Sequence, residues 1–384
     1  MVSTNRPMVS TNRPKLQRII MYTIYDYAYN GLLYLNNMMR PRHKRLSQLM
    51  IYSTTACQSR CKHCNIWQKK VEHLSLDDIK RIMQSRCVTK RTTVGLEGGE
   101  FILHPQAEEI MAWIHEHHPN YTLLSNCLAP RRVIDAVRRY QPQHLYVSLD
   151  GGRETYQRMR GRDGYDRVIE VVEAFKDEVP LSLMFCLSPW NTFDDMAYVI
   201  DIAKHYGIDI RIGIYGTMPY MKAPLSSPEG DTNVSSSMKK CIEAPSGAVW
   251  GALSKTQENY DFVALYDEWR NGHLRLRCQS IMSCLVVHSN GDVPLCQNLD
   301  VILGNIHEQT LDEIFNGAPA CQTQCHYSRH CNDCWINFHR KYDIILVRNL
   351  EQLLPKWFIE KFYGQYQWTA DPKQTYRKHL NAIQ

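Results

Sequence analysis

Cys57-Gln58-Ser59-Arg60-Cys61-Lys62-His63-Cys64 follows closely on an apolar run, Leu49-Met50-Ile51-Tyr52. The run reads as a buried β-strand, so three cysteines at C-x3-C-x2-C spacing occupy the loop at its C-terminal end. Cysteine thiolates are the usual ligands of iron–sulfur clusters. Three thiolates on a cluster of four irons leave one iron open to a ligand that is not protein. Zinc held by cysteines is the competing use of such a spacing.

Composition narrows the choice. The chain has 384 residues, 44% hydrophobic and 22% charged, with a net charge of +6, as expected of a globular protein of one large or two ordinary domains. So small a net charge does not argue for a nucleic-acid partner. Fourteen cysteines form an even count, which raises disulfides. Their ligand-like spacings and the lack of a recognisable secretory signal favour reduced thiols and a cytoplasmic location. No run of 18 apolar residues occurs, so no membrane-spanning helix is expected.

Outward from the cysteine loop, strand and helix patterns alternate, which predicts a parallel sheet. Strands are expected at 48–54, 92–97, 121–125, 144–150, 181–187 and 209–214. Helices are expected at 75–84, 106–117, 130–140, 165–177 and 193–206, with Asn191 as a cap on the last. Period-two alternation divides the strands into faces. Leu145, Val147 and Leu149 share one face; Tyr146, Ser148 and Asp150 share the other. Around the sixth strand, Ile208, Ile210, Ile212 and Ile214 oppose Asp209, Arg211, Gly213 and Tyr215. With helices outside, the polar rows line a lumen, which is costly unless a ligand fills it.

The cysteine spacing, with Asn65-Ile66-Trp67 after it, resembles the signature of the radical S-adenosylmethionine (radical SAM) superfamily. Gly98-Gly99-Glu100 resembles the family's GGE element, although Phe101 stands where Pro is usual. Ser148-Leu149-Asp150-Gly151 and Arg160-Gly161 resemble the SLDG and RG elements of its SPASM-type members. The resemblance implies a partial (β/α)6 TIM-like barrel over 48–222. It implies a 4Fe-4S cluster on Cys57, Cys61 and Cys64 whose open iron chelates SAM. The SAM site would draw on Gly98, Gly99, Glu100, Ser125, Asn126, Ser148, Asp150 and Arg211.

Seven cysteines then lie between 278 and 334, around Gly291-Asp292-Val293-Pro294-Leu295-Cys296 and Leu303-Gly304-Asn305-Ile306. This half resembles the SPASM auxiliary-cluster domain, expected at 278–340. By that resemblance Cys278, Cys284, Cys296 and Cys334 hold one 4Fe-4S cluster, and Cys321, Cys325 and Cys331 hold three irons of a second. The family's last cysteine is missing, so the second cluster has an open iron, a substitute ligand such as His339 or Asp333, or is absent. Structural zinc is the alternative for this half.

The flanks carry less information. Met1-Val2-Ser3-Thr4-Asn5-Arg6-Pro7 recurs unchanged at 8–14, where disorder is expected. An N-terminal helix is expected within 15–47, ended by Pro41 in the basic run Arg40-Pro41-Arg42-His43-Lys44-Arg45. It reads as packing on the barrel or as a peripheral membrane contact. Residues 223–277 read as a loop and connecting helix, and 341–384 as a helical tail.

The expected chemistry is reductive cleavage of SAM to a 5′-deoxyadenosyl radical that takes hydrogen from an unactivated carbon. A ribosomally made peptide is the favoured substrate; a sugar or other small molecule undergoing epimerisation or dehydrogenation is the alternative. A non-catalytic electron carrier is the rival of another class. An electron donor such as flavodoxin or ferredoxin is the expected partner. Cys87, Cys127, Cys186 and Cys241 fall outside the cluster motifs. Cys186 and Cys241 are the candidate hydrogen donors, against the common fate of free cysteine as a small buried hydrophobe.

Overall fold

The computed structural model describes residues 24–216, 218–221, 255–363, 366–369 and 374–383. The heptads at 1–14, most of 223–277 and Cys241 lie outside the described residues.

Helix α1 (Ile24–Met39) leads into β1 (Gln48–Thr54). Five more strands follow: β2 (Thr93–Gly98), β3 (Tyr121–Ser125), β4 (His144–Ser148), β5 (Leu181–Leu187) and β6 (Asp209–Ile214). Each pairs in parallel with the next. The connections carry α2 (Leu76–Met83), α3 (Ala107–His117), α4 (Pro130–Tyr140), α5 (Arg153–Arg160), α6 (Tyr165–Phe175) and α7 (Phe193–Tyr206). Capping boxes start two of these helices, Ser75 with Asp78 and Thr192 with Asp195. Each satisfies N-terminal N–H groups and contributes about 1 kcal/mol.

One apolar layer holds helices to sheet. Leu49, Ile51, Val94, Leu96, Leu123, Leu145, Val147, Leu183 and Phe185 are buried against Ile110, Val137, Val168, Val172 and Val199 of the helices. Each such side chain contributes roughly 1.5–3 kcal/mol on burial. The opposite rows of the same strands stay free of this core and face the lumen.

Several expectations need correction. β2 reaches Gly98, whereas β4 stops at Ser148 instead of 150. Gly151 has φ 147°, and a Cβ there would lie 2.7 Å from Asp195 Oδ1, so the chain turns away from the sheet. The helix α5 was not expected; its sequence RETYQRMR has little apolar stripe. Thr192, not Asn191, caps α7. Ile212 and Ile214 also reach the lumen at the edge of the sheet, beside Arg211 and Gly213.

The largest departure lies in the cysteine-rich half. After α8 (Lys255–Ala264), α9 (Tyr266–Arg270) and β7 (Leu274–Arg275) comes β8 (Cys284–Val287). It pairs in parallel with β1, Gln48 opposite Cys284, and makes a seventh strand of the same sheet. The strands β9 (Asp292–Pro294) and β10 (Ile302–Asn305) form a hairpin. Helices α10 (Leu311–Asn316), α11 (Ala318–His330) and α12 (Asn337–Leu353) follow. No helix among the described residues is long and apolar enough to cross a membrane.

Candidate active site at the strand ends

The cysteine loop is clamped by backbone on both sides. Gly99 N donates to Thr54 O at 2.7 Å and Glu100 N to Ala56 O at 2.8 Å. A Cβ on Gly98 would lie 2.4 Å from Thr54 O, and one on Gly99 2.4 Å from Ala56 O. The two glycines are therefore demanded by close approach of the loop, and φ 138° at Gly98 adds a conformation that L side chains rarely adopt. From the other side, Arg60 N donates to Arg160 O at 2.8 Å and Lys62 N to Met159 O at 2.9 Å. Gly161 ends α5 at φ 62°, and its missing Cβ leaves room for Arg60 O, 2.8 Å away. Thus α5 serves as a rest for the cysteine loop.

Two acidic groups organise the wall around the thiols. Glu100 accepts from Ser125 Oγ at 2.8 Å and from Asn126 N at 2.7 Å, joining the ends of β2 and β3. Burial pushes its carboxyl up to about 7, against these two hydrogen bonds. Asp150 is fully buried and pairs with Arg160 at 2.5 Å. It also accepts from Cys186 N at 3.1 Å. Burial, the largest single effect, disfavours the Arg160 cation, but Asp150, Cys61 and Tyr156 together outweigh it and hold the guanidinium charged. Arg160 Nη1 then reaches Cys61 Sγ at 3.6 Å. Asn191 ties the β5 end to the same corner, donating to Asp150 O and Cys186 O.

Burial pushes the Cys57 thiol up to about 12 and Cys64 up to about 11. Cys57 feels Cys61 and Cys64, and Cys64 feels Cys61. All three line one cavity of about 400 Å³ with Gly98, Gly99, Glu100, Asn126, Ser148, Asp150 and Arg211. Ser125 stands behind this wall, bonded to Glu100. Cys186 also lines the cavity, whereas Cys127 is fully buried outside it and Cys87 is buried beside Asp312. In the wall, His63 Nδ1 is a buried polar atom with no hydrogen-bond partner among the described residues. Three thiols with an open polar atom and the Glu100, Asn126, Ser148 and Asp150 side chains in one cavity are what a thiolate-held cluster with a polar co-ligand needs.

Deeper in the lumen, each strand contributes from its inward row: Met50 and Tyr52, Gly95 and Glu97, Thr122 and Leu124, Tyr146, Met184, and Arg211. Gln297, Asn337, Lys341 and Tyr342 close it from the cysteine-rich half, with Gln297 donating to Tyr52 OH at 2.6 Å. Glu97 was missed in the sequence; the alternation applied to β4 and β6 would have found it on β2.

The second half gathers part of the expected auxiliary set. Burial raises both Cys278 and Cys296; Asp343 and then Cys334 add to the rise at Cys278, and Cys334 adds to it at Cys296. Cys331 adds to the effect on Cys296, and Arg340 faces Cys278, Cys331 and Cys334. Cys284 stands apart on β8, beside Ser47 and Ser283. On α11, Cys321 lies 3.3 Å from Lys44 Nζ, and Cys325 is exposed. His339 is occupied at both ring nitrogens, by Ser280 Oγ and Gln297 N. Asp333 accepts from Cys331 at 3.6 Å. Among the described residues, no three Cys, His, Asp or Glu side chains converge at metal-holding distance.

Residues 51–203 match the radical SAM superfamily, and residues 278–335 match the SPASM iron–sulfur cluster-binding domain. The AdoMet-dependent heme synthase of Methanosarcina barkeri is 21% identical over 316 residues, covering 73% of this chain and 88% of that one. The Fe-coproporphyrin III synthase of the same organism is 24% identical over 147 residues, 37% of each. Streptococcus suis SuiB bound to precursor peptide SuiA superposes with a TM-score of 0.56 at 14% identity, over 82% of this chain and 76% of that one. At that identity the likeness is one of fold.

Proposed function

Because the chain belongs to the radical SAM superfamily and carries a SPASM domain, with SAM and 4Fe-4S clusters as its cofactors, we propose that it modifies an unactivated C–H position in a ribosomally made peptide. The observation that carries this reading is that the cysteine loop and the lumen of the sheet share one continuous cavity. When bound, the cluster and SAM supply a 5′-deoxyadenosyl radical as the hydrogen-abstracting agent.

The chain's residues set the rest. Cys57, Cys61 and Cys64 hold three irons, and Gly98, Gly99 and Gly161 let the loop lie close enough to two neighbouring segments to be fixed. Glu100 and Asn126 line the place of the SAM amino acid moiety, with Glu100 held by Ser125. Asp150 keeps Arg160 charged beside Cys61. The auxiliary thiols sit on the segment that supplies Gln297 to the lumen, so an acceptor for an electron left on substrate would stand next to it. A flavodoxin or ferredoxin would deliver the initiating electron.

The peptide-bound SuiB, whose fold this chain shares, supports the peptide substrate. A second reading, a small-molecule substrate, is favoured by the names of the two Methanosarcina barkeri relatives. One experiment separates them. The anaerobically reconstituted enzyme is given SAM and dithionite, with either short peptides encoded beside its gene or iron-coproporphyrin III. A peptide that changes mass while 5′-deoxyadenosine accumulates supports the first reading. Conversion of the porphyrin with every peptide untouched supports the second.

A further inference from the structure

The carboxylates of this cavity are supported, except one. Glu100 accepts from Ser125 and Asn126, and Asp150 pairs with Arg160. Glu97 lines the same cavity from β2, and its main-chain carbonyl accepts from Ser53 Oγ at 3.4 Å. Among the described residues no hydrogen bond or ion pair reaches its side-chain oxygens. Glu97 is half-buried and lines the cavity.

Two features make this a place for a ligand group. Gly95, the lumen residue before Glu97 on β2, has no side chain, and its Cβ position lies 3.4 Å from Glu97 Oε1. Room for a methyl group is therefore left beside the carboxylate, bounded also by Thr122 Oγ1 at 3.7 Å and Met50 Cγ at 3.8 Å. Second, burial alone raises the Glu97 carboxyl, to about 7, with no cation among the described residues offsetting it. Arg211, on β6 across four intervening strand pairings, faces Asp209 at 3.5 Å. A carboxylate enclosed without a counter-charge is costly, and a bound cation removes the cost.

We propose that Glu97 is the substrate-recognition carboxylate of the cavity and receives an ammonium or guanidinium group of the substrate. The inference rests on the SAM-dependent reading above for what the cavity serves. Charge-assisted hydrogen bonds are the stronger kind, so the group sets which substrate enters and how it lies in the lumen.

The test needs no turnover. The SAM-loaded, unreduced holoenzyme is titrated calorimetrically with Nα-acetyl-arginine-N-methylamide and with its neutral isostere, the citrulline compound. The arginine probe is expected to bind about tenfold tighter, a difference of about 1.4 kcal/mol. In Glu97→Gln that preference should fall below about twofold, while SAM affinity is unchanged. Gly95→Ala, which narrows the space and leaves the charge, should weaken the arginine probe with Glu97 intact. The proposal is overturned if the wild type shows no preference, if Glu97→Gln retains it, or if Glu97→Gln loses SAM affinity instead. Absence of SAM cleavage by the wild type under dithionite would count against the functional reading and leave the binding result standing.

Discussion

Arg160 Nη1 lies 3.6 Å from Cys61 Sγ while the same guanidinium pairs with buried Asp150. The SLDG-like and RG-like elements of the sequence thus meet as one charged unit under the cysteine loop. A cation held against a ligand sulfur stabilises the more negative, reduced state of a cluster. Arg160→Gln is expected to leave iron content near that of the wild type and to lower the reduction potential of the SAM-binding cluster, read by redox titration with electron paramagnetic resonance. It also leaves Asp150 without its partner, so unfolding should become easier by about 3–5 kcal/mol. An unchanged potential would remove Arg160 from the cluster's surroundings.

Replacing Cys57, Cys61 and Cys64 together with Ala separates the two halves. SAM-dependent 5′-deoxyadenosine should vanish under anaerobic reduction, and bound iron should fall by about four per chain, one cluster's worth. Iron retained by the variant then reports the cysteines between 278 and 334. Zinc with no iron in the variant would overturn the auxiliary-cluster assignment.

Much of this site was legible because its signals are local. C-x3-C-x2-C and Gly98-Gly99-Glu100 announce themselves within a few residues, and period-two alternation placed Tyr146, Ser148 and Asp150 on the cavity side. What was not legible depends on distant partners. Cys284–Val287 reads as a short apolar run, and only pairing with β1 makes it part of the barrel sheet. Helix α5 lacks an apolar stripe; Tyr156, Met159 and Arg160 are buried because the cysteine loop and Asp150 lie against them. Gln297 enters the lumen through the fold of the cysteine-rich half. Glu97 was legible but stood in the shadow of the stronger motif next to it.

Gly98 and Gly207 offer a matched test of close approach. Both have positive φ, 138° and 65°, but a Cβ on Gly98 would meet Thr54 O at 2.4 Å, whereas one on Gly207 meets nothing within 4 Å. Gly207→Ala should cost only the conformational strain of about 1 kcal/mol. Gly98→Ala must also displace backbone, so its melting temperature should fall further and its SAM-cluster iron should drop. Equal losses in the two variants would show that the loop clamp is not a tight contact.

The enclosed Glu97 also predicts a pH dependence of stability. An unfolded glutamate titrates near 4.5, and Glu97 is raised to about 7 by burial. The folded state therefore holds the proton more tightly. The stabilisation is fully present below about 4.5 and is lost as pH rises through about 7. Glu97→Gln, which has no such proton to lose, should gain on the wild type by on the order of 2–3 kcal/mol between pH 5 and pH 8. Anaerobic urea unfolding of both proteins across that range checks it; a difference independent of pH would mean that Glu97 is fully hydrated.

Cys186 is the candidate on which the fate of the substrate radical can be tested. Of the cysteines outside the cluster motifs, it is the one among the described residues that lines the cavity; Cys241 lies outside them. Burial, with Asp150 nearby, pushes its thiol up to about 12, so at neutral pH the sulfur keeps the hydrogen that a donor must have. A thiol that gives a hydrogen atom to a carbon radical exchanges with solvent beforehand and is left as a thiyl, which an electron from the external donor through an auxiliary cluster and a proton from solvent would restore. Run in deuterium oxide, the reaction is therefore expected to leave one deuterium in the product, and Cys186→Ala should abolish that label while SAM cleavage continues. Oxidation instead removes a second hydrogen, through an electron accepted by an auxiliary cluster and a proton released to solvent. A product two mass units lighter than substrate, free of deuterium and made equally well by Cys186→Ala, would exclude the thiol as donor and make the auxiliary cysteines the electron route.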